Sequence, residues 1–455
     1  MKHLNFYLTF VASLPVRQEK QVSFSRSKSQ NQRFFMRVLL KKASITAPGQ
    51  PLNGQTRDIL IENGIITRIS DDIETDANEI VSSDNLHVSP GWMDVFAHFC
   101  DPGYEFKEDL ESGAQAAAAG GYTEVMLIPN THPPLETKAQ IEYIISHNPS
   151  LPVTIHPIGA ISQGLKGQSL AEMYEMHRSG ALAFSDGLMP VQNSGLLLKA
   201  LQYVKAFGGT LIQIPDDTGI SHHGLMHEGL WSTRLGMAGI PGIGEEIMVK
   251  RDLDLLGYTE SKLHLTGISL ERSVELIRQA KASGLAVSCS VTPYHLLFTD
   301  ESLQQYNSHF KVNPPLRERQ DVEALRKAVA DGTIDCIATH HIPQDTDSKQ
   351  KEFEYASPGM IGLETTFGVL GMVLPEISTS ELINLLAVRP RNLFGLEVPE
   401  IAEGATASIT LFDPAMEWTV EENSLKSKSR NTPFLGKKLK GKVLGTIHLR
   451  QFNRL

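Results

Sequence analysis

The chain has 455 residues, 41% hydrophobic and 21% charged, with 36 glycines, 24 prolines and a formal net charge of −10. That length can bury a full-sized core and suggests more than one structural unit. The ordinary composition excludes a disordered, collagen-like or membrane-embedded chain, and an acidic balance without a basic, aromatic-interleaved stripe argues against a nucleic-acid partner. The cysteines, Cys100, Cys289 and Cys336, are scattered and form no CxxC pair. They are expected to be reduced thiols in a cytoplasmic protein.

Residues 1–35 open with a short apolar run, LNFYLTFVASL, followed by a Ser-, Gln- and Arg-rich tract in which Glu19 is the one acidic residue. The run is too short to span a bilayer. A signal or transit peptide fits it. The favoured expectation is a flexible extension or a start assigned too early, with MRVLLKKASI from Met36 as the beginning proper. From there the pattern is β-rich over 36–88: RVLLKKASI and DILIENGIITRIS alternate, and Asn63-Gly64 signals a hairpin. Similar strands, ASITLFDP, EWTV and GKVLGTIHL, return over 400–455. Both chain ends are therefore expected to build one small β-sandwich.

The middle, 89–399, alternates strand and helix. MDVFAH reads as a strand, EDLESGAQAAAA as a helix stopped by Gly120-Gly121, and TEVMLI as the next strand. Further strands are expected at VTIHPI, ALAFSD, TLIQIP, KLHLTGI, LAVSCSV and IDCIATH. Helices such as SLERSVELIRQAKASG and ERQDVEALRKAVADG lie between them. Eight such units make an α/β fold of the (β/α)8 TIM-barrel type, with its chemistry at the C-terminal strand ends. At those ends stand His98, Asn130, Asp186, Gln213, Gly267 and the pair His340-His341. A lone histidine there is usually structural; six positions converging on one mouth predict a site.

Several long stretches carry a resemblance. They include PGWMDVFAHFCDPGYEFKEDLESGAQAAAAGGYTEVMLIPNTHPP, LKGQSLAEM, AFSDG, RLGMAGIPGIGEE, KVNPPLR, SPGMIGLET and SKSRNTPFLGKKLKGKV. From Met36 onward the chain resembles the type I dihydroorotases of the metallo-dependent amidohydrolase superfamily. That family opens its barrel with Asp-x-His-x-His-x-Arg, in which both histidines bind zinc and the arginine holds the substrate carboxylate. Here those positions are Asp94, Phe96, His98 and Cys100. The strand-four ligand is matched by Asp186. The strand-five ligand histidine is replaced by Gln213. On strand six HLTG keeps His264 but puts Gly267 at the ligand position. The family's Thr-Asp-His-Ala-Pro-His, whose Asp is the general base and whose last His helps hold substrate, reads THHIPQ, with His340 and Gln344 at those two places. Asn130, a substrate contact in the family, remains.

Phe and Gly offer no side-chain lone pair, and a neutral amide is a poor zinc ligand. Without metal, water at neutral pH is a poor nucleophile, and a thiol cannot grip a carboxylate as Arg does. The resemblance with these losses implies a non-catalytic dihydroorotase-like protein needing no cofactor. It would act as a structural partner of aspartate carbamoyltransferase in pyrimidine biosynthesis, or as a homo-oligomer, with Phe96 packed as an apolar plug. The rival expectation is an active cyclic-amide hydrolase with a mononuclear zinc held by His98, Asp186 and His340 and with His341 as base. The cluster His222, His223 and His227, near Asp216, Asp217 and Glu228, matches no standard ligand spacing. It is expected to be a solvated loop.

Overall fold

The structure, a computed structural model, describes residues 36–455. The expectation for residues 1–35 falls outside them. Eight short, almost wholly buried strands carry the middle of the chain. They are Trp92–Ala97 (β1), Tyr122–Leu127 (β2), Thr154–Gly159 (β3), Ala183–Phe184 (β4), Leu211–Gln213 (β5), Leu263–Leu265 (β6), Val287–Val291 (β7) and Cys336–Ile337 (β8). They pair in parallel and in chain order from β1 to β8. Parallel strands buried on both faces read as continuous apolar runs, which explains their composition.

Beyond β8 the chain closes the barrel onto β1. The His98 amide donates to the His341 carbonyl at 2.9 Å, and Ala97 bridges His341 in parallel register. A buried carboxylate fastens the same seam: Asp94 accepts from the Thr339 amide at 2.8 Å and from its hydroxyl at 2.7 Å. The fold is thus the expected (β/α)8 barrel.

β1 carries a bulge. Asp94 pairs with Val125 and Ala97 with Leu127, so three steps on β1 oppose two on β2. A bulge re-aims side chains near a site, and here Met93, Val95 and Phe96 all join the barrel-interior cluster with Met126, Ile158 and Ile212. Outside β1 lies the helix Leu110–Ala119 (α1), started by Asp109, whose side chain accepts from the Ser112 amide. Its inner face is alanine and glycine because it lies against the barrel wall. A Cβ on Gly113 would come within 2.5 Å of the Phe99 ring. Two further helices, Glu271–Ala282 (α2) and Arg319–Ala330 (α3), pack side by side on the barrel through Val274, Ile277, Val322 and Leu325.

Both chain ends build the small β domain. Its strands lie on one hydrogen-bonded path, with Ser408–Thr419 joining His87–Pro90 antiparallel, so that Thr410 faces Ser89. Val38, Leu40, Ile59, Ile61, Ile409 and Leu411 form its buried core. The hairpin at Asn63-Gly64 is present, both residues having positive φ (51° and 80°), as a tight two-residue turn demands. Among the described residues no helix is long and apolar enough to cross a membrane.

Candidate functional site at the barrel mouth

The strand ends bring the singled-out residues to one mouth but engage most of them with their neighbours. Phe96 is fully buried, and its ring stacks on the imidazole of His340, centroids 4.5 Å apart and planes 29° off parallel. His340 Nε2 lies 2.8 Å from Thr266 Oγ1. Thr266 accepts from the Ser290 hydroxyl at 2.8 Å, and Ser290 reaches His264 Nε2 at 3.0 Å. His264 Nδ1 in turn meets Ser288 Oγ at 2.8 Å. The retained His264 therefore belongs to a buried hydrogen-bond chain linking β6, β7 and the end of β8.

Gly267 is shaped around that chain. Its φ is +71°, and a Cβ there would stand 2.8 Å from His340 Cε1 and 3.3 Å from Pro314 Cδ. The imidazole of His340 thus fills the space into which a side chain at position 267 would project. His340 itself has a φ of +43°, uncommon for a residue with a Cβ and the sort of strain that a packed surrounding must hold.

His98 is buried, its Nδ1 3.5 Å from Cys100 Sγ and its Nε2 without a partner. Burial, and next the Lys107 ammonium, bring its imidazole down to about 4. Burial pushes the Cys100 thiol up, with Glu108 adding to the effect, so the pair stays neutral and the thiol is unreactive. Asp186 has its carboxylate committed: Oδ1 accepts from the Ile161 and Ser162 amides at 2.9 and 2.8 Å, Oδ2 from the Ser162 hydroxyl at 2.5 Å. Burial nevertheless raises it to about 6. Asn130 clamps the same turn, donating to the Asp186 carbonyl at 3.2 Å and accepting from the Leu188 amide at 3.0 Å.

Gln213 is buried, accepts from the Val191 amide at 3.4 Å and leaves its Nε2 without a partner. Gln344 spans the rim, taking a bond from Lys107 Nζ at 2.9 Å and donating to the Pro358 carbonyl at 2.9 Å. Sequence reasoning passed over Lys107, although it stands inside a matching stretch (YEFKED), because a lysine there reads as surface charge. His341, the candidate base, is buried beside a carboxylate. Its Nδ1 faces the Gly362 amide at 3.3 Å and its Nε2 the buried Glu108 at 3.5 Å.

The set His98, Asp186 and His340 is not assembled into a metal site. Among the described residues no group of three or more His, Cys, Asp or Glu is placed to hold an ion. The loop histidines separate as well. His222 and His223 stack on one another at 3.7 Å, whereas His227 is buried with its Nδ1 3.1 Å from Arg317.

The buried imidazoles set a pH limit. His98, His227, His264, His295, His340 and His448 are all held down by burial, to between about 3 and 4 from 6.5. Each binds a proton in the unfolded chain before it does in the fold, so stability present above pH 6.5 is lost as pH falls. Asp94, Asp186, Asp252 and Asp300, raised by burial to about 6 from 3.8, and Glu364, raised by burial to about 7 from 4.5, act oppositely between those values. The six imidazoles outnumber the five carboxylates, so the net change is a loss. The urea midpoint is expected to be lower at pH 4 than at pH 6.5; a higher midpoint at pH 4 would contradict the buried, neutral histidines.

Comparison with known proteins agrees with this architecture. The structure superposes on the L-hydantoinase (dihydropyrimidinase) from Arthrobacter aurescens with a TM-score of 0.80, at 23% identity, over 92% of this chain and 96% of that one. The shared fold is that of the amidohydrolase barrels. A family model described as dihydro-orotase-like matches residues 86–273. The dihydroorotase of Acetivibrio thermocellus is 42% identical over 414 residues, covering 90% of this chain and 97% of the relative. That of Pelobacter propionicus is 39% identical over 417 residues, covering 90% and 98%. The chain belongs to the dihydroorotase family of amidohydrolases.

Membership corrects one expectation. The family's chemistry, as the resemblance implied, runs on zinc, so kinship with the dihydroorotases overturns the expectation that no cofactor is involved. The side chains as arranged do not fit that metal, however. Phe96 and Gly267 supply no donor, and the carboxylate of Asp186 is engaged elsewhere.

Proposed function

We propose that this chain is a dihydroorotase-family protein that no longer performs the family's hydrolysis. It serves pyrimidine biosynthesis as a structural or regulatory partner of aspartate carbamoyltransferase. The observation that carries the first part is the interlocked trio Phe96, His340 and Gly267, in which one imidazole stacks on the phenyl ring and fills the space beside the glycine. An imidazole held near 3 by burial and bonded to Thr266 is a weak base. The neutral thiol of Cys100 offers no grip on a carboxylate. The partner role rests on the resemblance. Three buried free thiols suit a cytoplasmic setting.

Calorimetric titration of the zinc-supplemented protein with dihydroorotate and with carbamoyl aspartate tests the silent mouth. No saturable heat is expected from either. Saturable binding accompanied by interconversion of the two would overturn the proposal, and failure to co-purify with the carbamoyltransferase would remove the partner role.

The comparisons favour a second reading, an active zinc amidohydrolase opening a cyclic amide through a reduced mononuclear site. Relatives named dihydroorotase span nearly their whole length with this chain. His98 Nε2 and His340 Nδ1 are also buried without partners, and orphaned buried nitrogens call for an explanation. This reading requires Asp186 to leave the Ile161–Ser162 turn. It predicts turnover abolished by His98→Ala.

A further inference from the structure

The small β domain reaches the barrel through the connection between its strands Ser408–Thr419 and Lys438–His448. The Val420 amide donates to the Lys437 carbonyl at 3.0 Å, and the Gly436 amide to the Val420 carbonyl at 2.9 Å. These bonds close the neck of the connection, as in an Ω-loop. Leu425 and Phe434 anchor its two flanks in the apolar core packed around the barrel. Between them SKSRN (427–431) runs without strand or helix, and its side chains alternate. Ser427, Ser429 and Asn431 are buried, whereas Lys428 is exposed and Arg430 half-buried. Residues two apart in an extended segment share a face, so the inward face here is wholly polar.

That face grips the two segments that flank the barrel seam. On the β1 side, the Ser427 hydroxyl and the Lys428 amide both donate to the buried Glu108 carboxylate, the amide at 3.0 Å. Ser429 Oγ donates to the Lys107 carbonyl at 2.7 Å. Lys428 Nζ donates to the Glu105 carbonyl at 2.9 Å and to the Asp109 carboxylate. On the β8 side, the Asn431 side chain donates to the Ile342 carbonyl at 2.9 Å and accepts from the Gln344 amide at 3.1 Å. Its backbone carbonyl accepts from the Ile361 amide at 3.2 Å. Each of these ties is a polar bond that water can replace, so its net worth is small. The flanks, by contrast, are held by apolar burial. Local opening is therefore cheapest between the two anchors. Beside the root of the segment, Trp418, Ser424, Leu425 and Lys426 border a cavity of about 420 Å³, which gives it room to withdraw.

We propose that residues 427–431 are a latch carried by the small β domain, whose release frees the loop after β1 and opens that side of the barrel mouth. The latch concerns motion alone, so it stands whether or not the mouth is catalytic. Cys100 is the built-in reporter. Its thiol is fully buried in the latched loop, whereas Cys289 and Cys336 lie within the paired strands β7 and β8.

The test labels the folded full chain with a thiol reagent and follows each cysteine separately by peptide mass spectrometry. In the wild-type protein Cys100 is expected to react ahead of Cys289 and Cys336. Ser427→Ala and Asn431→Ala should each speed Cys100 labelling roughly tenfold, with the other two thiols unchanged. Lys428 is exposed, so Lys428→Ala keeps the test decisive should a buried substitution fail to fold. It is expected to speed Cys100 labelling roughly threefold. Equal acceleration of all three thiols would mean that the segment merely stabilises the whole barrel, and would overturn the proposal. So would a Cys100 no faster than the strand thiols, or a Cys100 rate unchanged in the folded variants.

Discussion

Replacing Gly267 by alanine is expected to destabilise the protein by about 3 kcal/mol, from left-handed backbone strain together with overpacking. The backbone there sits at φ +71°, and the new methyl would stand 2.8 Å from His340 Cε1. His340 cannot simply swing aside, because Phe96 stacks on one face and Thr266 holds its Nε2. The clash and the backbone strain separate in a double-mutant cycle. Removing the imidazole as well (Gly267→Ala with His340→Ala) should return roughly 1 kcal/mol of the loss, leaving the strain. Urea unfolding of the four proteins measures both terms. Additive effects, or an alanine tolerated at no cost, would show that the imidazole is not where the structure places it.

Asp94→Ala should cost a comparable amount, about 3 kcal/mol, for a different reason. The carboxylate is buried and receives two bonds from Thr339, one from the amide and one from the hydroxyl. Alanine would leave both donors unpaired in the interior, at the seam where β1 meets the end of β8. Asp94→Asn keeps one acceptor and should cost less. Thermal unfolding orders the three proteins as wild type, Asn, Ala. An alanine variant as stable as wild type would mean that the closing seam is held elsewhere.

The barrel was legible because alternation of apolar strand and helix survives any choice of mouth residues, and helix α1 could be read from EDLESGAQAAAA. Strand lengths were read too generously at β4, β6 and β8. ALAFSD, KLHLTGI and IDCIATH each shorten to two or three paired residues, because their ends turn out to line the mouth. The placing of Phe96, Cys100, Gln213, Gly267 and His340 at or just beyond strand ends was also legible. Their interplay was not. That His340 fills the space beside Gly267, and that His264 belongs to a chain through Ser290 and Thr266, depends on side-chain direction, which spacing does not carry. Asp186 misled for the same reason. Its position matches a ligand, but its carboxylate turns to Ile161 and Ser162. The bulge in β1 explains why Phe96 faces inward beside Val95, contrary to simple alternation.

The most direct test of the proposed loss of hydrolysis is turnover of dihydroorotate, in both directions, under saturating zinc. The Acetivibrio thermocellus relative, assayed alongside, serves as the reference. The packing of Phe96, His340 and Gly267 predicts no turnover by this chain above the rate in buffer. Sustained turnover that is zinc-dependent and lost in His98→Ala would contradict it, and would establish the reduced-site hydrolase instead.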